Sequence, residues 1–401
     1  MKKIHSLSWL VVLFCLLLIS MTVAPSSVHA NTDLKISGWI PYWAVSSGTK
    51  DARKNIDAFS AIFPFNYSVK SDGSLLDLGK IKQSAWKKLF TVAKKKDVLV
   101  IPTVMWSNTG AIYTVLNNPN LRAKHIGEIV TMVKKQKFDG VDIDYEGKSA
   151  ETYTSFALFL KELKKKLGKR KVLSCTIEAR TPPDSLYKTI PTDLRYANDY
   201  NAIAKYCDRV NIMTYDQQRA DLKLNDAHVG EAYIPMSDPA WVRKVIELTL
   251  QTIPKEKISL GVPTYGHEYE VIVRSGAYQE YGKTGAFNPS YGIKTAKQYG
   301  ITPERSDAGE LSFTFSLLPT APQFLYNAPI PTNTSSANRV AAQSFAYTKA
   351  TGLASVFYYA TWSDAEAIRQ KIELAREYGL AGIALFKIDG NEDSAMWKLF
   401  D

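Results

Sequence analysis

Eight short apolar runs, separated by longer stretches of helical period, limit what this chain can fold into. The runs are Leu34 to Tyr42, Ala58 to Tyr67, Val98 to Met105, Gly140 to Tyr145, Val172 to Ile177, Arg209 to Thr214, Ile258 to Thr264 and Gly382 to Phe386. Most are rich in β-branched and aromatic residues and apolar nearly throughout, the pattern of strands covered on both faces. Between them, Ile126, Ile129, Val130 and Val133 recur at helix spacing over Asn118 to Gln136, with lysines opposite. Phe156, Phe159, Leu160, Leu163 and Leu167 repeat the pattern ahead of Gly168, a helix stop. Ser363 and Glu366 form a capping-box pattern before Ile368 and Ile372, and Gly379 closes that helix. Strand and helix alternating around eight strands predict an α/β fold, a (β/α)8 TIM barrel. A doubly wound open sheet fits less well, because no glycine-rich phosphate loop follows the first run.

The rhythm breaks after Thr264, where more than a hundred residues pass before the eighth run. Within that interval Tyr269 to Arg274, Glu310 to Ser316 and Ser355 to Tyr359 read as strands between Gly, Pro and Asn turns. The expectation is a small α+β insertion over 268–360, between strands seven and eight. The stretch Leu317 to Asn338, with four prolines, is its loop or rim. The barrel then takes 31–267 and 361–401.

Residues 1–30 read as a secretory signal peptide. Lys2 and Lys3 precede an apolar stretch from Leu7 to Ala24, and Val28-His29-Ala30 supplies small residues for cleavage after Ala30. A retained membrane anchor is the competing reading, since about 18 apolar residues is near the lower limit for a span. The expected location is outside the cell or at its wall. The formal charge of +11 does not by itself indicate nucleic acid, because the lysines fall mostly in runs on helical faces, such as Lys164-Lys165-Lys166. Attraction to an anionic cell wall suits an exported chain equally well. Cys15 lies in the leader, leaving Cys175 and Cys207 in apolar surroundings, where two buried thiols are favoured over a bridge.

The segment Phe138-Asp-Gly-Val-Asp-Ile-Asp-Tyr-Glu146 carries the chemistry. Side chains alternate along a strand, so Asp142, Asp144 and Glu146 share one face while Val141, Ile143 and Tyr145 share the other. Burial and neighbouring like charges both raise carboxyl pKa values, and a raised pKa is what a general acid needs near neutrality. An exposed edge strand could carry these charges, but a strongly amphipathic helix follows. A calcium loop fails at its twelfth position, where Tyr153 stands in place of a bidentate glutamate. No histidines lie nearby for another kind of metal site, so no metal is expected.

With these residues in place the sequence resembles glycoside hydrolase family 18, the chitinase-like family. Its DGxDxDxE signature stands complete as Asp139-Gly140-Val141-Asp142-Ile143-Asp144-Tyr145-Glu146. Met213-Thr214-Tyr215-Asp216 resembles the family's strand-six motif, and Gly261 to Gly266 its strand seven. The resemblance implies a retaining hydrolase that uses the substrate's acetamido group as nucleophile and needs no cofactor. It implies Glu146 as acid and base, and Asp144 as the residue that polarises the acetamido N–H, sharing a proton with Asp142. It further implies Tyr215 on the acetamido oxygen, and Asp216 and Met213 lining the cleaved sugar's site. Tyr42, Trp43, Trp106 and Tyr265, at strand ends, are candidate sugar platforms. Phe386 stands where many members place a tryptophan. The spacing of Glu178 and Arg180 leaves their role undecided. The implied partner is a polysaccharide containing N-acetylglucosamine, with the chain acting as a monomer and no nucleic acid involved. The stretch Phe63-Pro-Phe-Asn-Tyr67, followed by Asp72-Gly73-Ser74-Leu75, resembles the spore-cortex and cell-wall branch more than typical secreted chitinases. A silent lectin-like protein on the same barrel is the alternative, disfavoured because Glu146 is present. A wall-anchored binding module is a further alternative, tied to retention of the leader.

Overall fold

The computed structural model describes residues 34–400 apart from 328, so the expected signal peptide lies outside the described residues. Eight parallel strands close on themselves. They are Lys35–Pro41, Ala61–Val69, Thr103–Trp106 with the short Leu99–Val100 ahead of it, Gly140–Tyr145, Val172–Glu178, Arg209–Met213, Ile258–Pro263 and Gly382–Phe386. Closure falls on the first strand, where Ser37 pairs with Ala384 on one side and Ala61 on the other. The expected barrel is thus the observed one, each strand beginning or ending within three residues of its apolar run. Pro102 divides the third strand; its carbonyl still accepts the Asp142 N–H at 2.9 Å.

Helix ends follow local chemistry. Asn118 caps Pro119–Gln136 by accepting the N–H groups of Asn120 and Leu121, and Gly168, at φ +79°, ends Tyr153–Leu167. One expected cap is displaced. Ser363 donates its N–H to the Tyr265 carbonyl and remains with the preceding chain. Asp364 instead caps Ala365–Glu377, accepting from the Ala367 N–H at 3.0 Å, and Glu366 turns to Arg369.

Between strands seven and eight lies a five-stranded antiparallel sheet, ordered Ala277–Phe287, Gly266–Arg274, Ser355–Trp362, Leu311–Phe315 and Glu304–Arg305. Ala277–Phe287 and Glu304–Arg305 carry no apolar alternation and were not legible as strands. Ser275 and Gly276, at φ +51° and +69°, form the two-residue turn that fixes the first hairpin. The insertion is anchored through buried charge. Glu310 accepts the N–H groups of Met236 and Ser237 and the Thr361 hydroxyl, and faces the fully buried Lys371 of the last long helix.

Cys175 and Cys207 are joined in a disulfide with Cα atoms 6.0 Å apart, which corrects the expectation of two free thiols. Cys175 lies on strand five and Cys207 just ahead of strand six, and pairing of these neighbours brings the two within bridging range. The bridge closes a separation of 32 residues and so restricts the unfolded chain. Replacing both cysteines by alanine is expected to lower the unfolding free energy by about 3 kcal/mol in guanidinium titration. An unchanged midpoint would show that the bridge adds nothing.

Candidate active site

On strand four, Val141, Ile143 and Tyr145 face outward and are fully buried in one cluster with Ile126, Ile129, Phe156 and Phe159. The alternate positions turn inward, so Asp142, Asp144 and, one residue past the strand, Glu146 form a line from the barrel interior to its carboxyl end.

Asp142 sits deepest. Its carboxylate accepts hydrogen bonds from Thr103 Oγ1 at 2.9 Å, Thr176 Oγ1 at 2.9 Å, and Trp39 Nε1 and Asn211 Nδ2 at 3.3 Å. Burial raises its pKa, against the pull of these donors. Asp144 is also buried, and its Oδ1 has no hydrogen-bond partner among the described residues. Burial, then repulsion from Glu146 and Asp142, lift its pKa well above the ordinary carboxyl range, with Lys148 opposing. Glu146 opens to the cleft and keeps solvent contact, yet the protein crowded around it raises its pKa, and so does Glu178 beside it.

Tyr215, just past strand six, stacks on Phe386 with ring centroids 5.4 Å apart and planes 14° from parallel. Phe386 also meets Trp39, Phe65 and Tyr265 edge-on, forming an aromatic floor. Tyr215 needs a glycine beneath it. A Cβ at Gly261 would lie 2.4 Å from the Ile212 carbonyl and 2.9 Å from the tyrosine ring. Asp216 stands at φ +55°, a conformation that aspartate tolerates, and accepts the Tyr265 hydroxyl at 2.6 Å.

These groups border a cavity of about 370 Å³ whose wall includes Asp144, Glu146, Met213, Tyr215, Asp216 and Phe386. Trp39, Phe65, Thr176 and Trp241, which no sequence motif singled out, line the same wall, and Glu178 joins them there. An inward polar residue in an apolar strand, such as Thr176, was the available signal. Trp43, 53% exposed, stands on the rim against Tyr42 and Phe65. Trp106 is buried against Tyr145 and His125, outside this wall, and Tyr265 supports Asp216 from behind. A larger groove, about 570 Å³, opens beside Arg180, Tyr196 and Tyr200, but none of the strand-four carboxylates reaches it, so size alone does not locate the chemistry. Among the described residues His228, Glu231 and Asp307 have the composition of a metal set, and none of them borders the cleft.

The profile of the glycosyl hydrolases family 18 matches residues 36–391. The chain is 22% identical over 329 residues to the uncharacterized glycosylase YvbX of Bacillus subtilis, covering 80% of this chain and 79% of that protein. It is 23% identical over 337 residues to the cortical fragment-lytic enzyme of Bacillus anthracis, covering 84% and 66%. In fold it matches the spore cortex-lytic enzyme SleL of Bacillus cereus, with TM-score 0.65, 19% identity and coverage of 92% and 73%. A chitinase from Chromobacterium violaceum gives TM-score 0.65 at 15% identity, covering 92% and 98%.

Proposed function

The chain belongs to family 18 of the glycosyl hydrolases and is a glycoside hydrolase; we propose that it is an exported enzyme that cleaves β-linked, N-acetylglucosamine-containing polysaccharide with retention and without an enzyme nucleophile. The observation that carries this reading is the line of Asp142, Asp144 and Glu146 running from a hydrogen-bonded interior to an open cleft.

Glu146 protonates the glycosidic oxygen, and the substrate's acetamido carbonyl oxygen attacks the anomeric carbon, so that an oxazolinium ion replaces a glycosyl-enzyme intermediate. The unpartnered Oδ1 of Asp144 accepts the acetamido N–H. Asp142, behind it, shares the proton that two adjacent buried carboxyls cannot both release. Tyr215 donates its hydroxyl to the acetamido oxygen, and Asp216 and Met213 border the same sugar. Phe386 and Trp39 lie beneath the ring. Glu146, now ionised, then takes a proton from the water that opens the oxazolinium ion, and the carboxylates around it stabilise the cation.

Peptidoglycan glycan is favoured over chitin, because cortical fragment-lytic and cortex-lytic proteins stand among the relatives and the Phe63 to Tyr67 segment resembles that branch. The net positive charge suits an anionic wall. Export is supported by the leader-like first thirty residues and by the Cys175–Cys207 bridge.

Glu146→Gln is expected to lower kcat by about 10²- to 10⁴-fold, read by mass spectrometry of products from peptidoglycan and from chitin oligosaccharides. Binding of either glycan without cleavage by the wild type would replace the enzyme with the lectin-like reading. The pH dependence has a defined sign. The acid must be protonated, so kcat/KM falls as pH rises through the Glu146 pKa. That pKa is raised, so the alkaline limb lies above the ordinary glutamate value of 4.5. A limb at the ordinary value would contradict the upward shift that burial and Glu178 impose on Glu146.

A further inference from the structure

Glu178, the last residue of strand five, belongs to no motif the family reading used, yet its carboxylate borders the cleft beside Glu146. Its two oxygens are committed to different neighbours. Oε1 accepts the Gly147 N–H at 3.0 Å, the peptide immediately after the acid, where the chain turns at φ +62°. Oε2 accepts Asn198 Nδ2 at 2.9 Å and lies 3.4 Å from Lys148 Nζ. That ammonium is buried, donates to the Tyr145 carbonyl and sits 4.9 Å from the centre of the Phe156 ring. Glu178 therefore grips the backbone on one side of Glu146 while Lys148 grips it on the other.

We propose that Glu178 is a positioning residue for the acid: it fixes the turn that aims Glu146 into the cleft and holds a permanent negative charge against it. This inference rests on the hydrolase reading of the same site. The charges are arranged unequally. Burial works against ionisation of Glu178, but Lys148, Asn198 and the Gly147 N–H outweigh it and hold its pKa below the ordinary value. Among the described residues Glu146 has no comparable set of donors. The groups that face it are Asp144 on its own strand, Glu178 on strand five, Tyr215 and Asp216 beyond strand six, and Lys148 in the turn. Of two neighbouring carboxyls, then, the one with the cation and two N–H donors ionises first, and its charge keeps the proton on the other. After protonation of the leaving group the same fixed charge stabilises the cationic intermediate, a function that neutral glutamine at this place could not perform.

The test is the titration of Glu146 itself, followed by carboxyl ¹³C NMR in the full chain labelled at glutamate, with the resonance assigned by its loss in Glu146→Gln. In Glu178→Gln, which keeps an acceptor for Gly147 and removes the charge, the Glu146 midpoint is expected to fall by about one pH unit. In Glu178→Asp, which keeps the charge on a shorter stem, it is expected to return most of the way. The alkaline limb of kcat/KM is expected to follow the same order. A midpoint that stays in place in Glu178→Gln overturns the proposal, and so does one that falls equally in the aspartate variant. The NMR readout does not depend on turnover, so an inactive wild type would sink the hydrolase reading while leaving this result to stand or fall by itself.

Discussion

Carboxylates can be lined up inside an apolar barrel only if the barrel supplies the hydrogen bonds that water would have made. An unpaired ion at such depth costs several kcal/mol even after relaxation. Here the donors to Asp142 come from four different strands: Trp39 from the first, Thr103 from the third, Thr176 from the fifth and Asn211 from the sixth. They can meet at one carboxylate only when the sheet is closed, because an open sheet would place the first and sixth strands far apart. Closure of the barrel and solvation of Asp142 are therefore one requirement. From that anchored end the line rises through Asp144, with a free acceptor oxygen, to Glu146 at the cleft, so hydrogen-bond satisfaction declines in the direction in which substrate would arrive.

The rest of the site hangs on that line. The Phe386 floor can be approached by Tyr215 because Gly261 leaves room beneath the tyrosine, and Asp216 is held by the Tyr265 hydroxyl just past strand seven. The insertion is in turn tied to the loop after strand six through Glu310, so its sheet and the cleft wall share one hydrogen-bond network. Glu178 and Lys148 complete the arrangement at the turn that follows Glu146.

How much of this the sequence disclosed depended on the kind of signal. The eight strands were legible because parallel barrel strands are buried on both faces and read as apolar runs. The three carboxylates were legible because alternation forces them onto one face. Ala277–Phe287 was not, since a half-exposed strand interrupted by Gly282 and Gly285 lacks either pattern. The Ser363 cap failed by one residue because a backbone bond to Tyr265 holds Ser363 outside the helix, a long-range contact no local motif reveals. The disulfide was missed for a related reason: spacing along the chain says nothing of strands that become neighbours. The donors to Asp142 were individually visible as polar residues in apolar strands, but only closure shows that they converge. Glu178 was visible and ambiguous, because its meaning lies in the Gly147 peptide across the strand boundary.

An internal nucleophile requires that cleavage proceed with retention, and the direct measurement of that requirement is the anomeric configuration of the new reducing end at early reaction times. Proton NMR of the products, taken before mutarotation equilibrates them, is expected to show the β anomer first, the outcome of two inversions at one carbon. Initial release of the α anomer would mean a single displacement by water. The roles given to Asp144 and Tyr215 would then have no basis, and Glu146 would need a second carboxylate as its base.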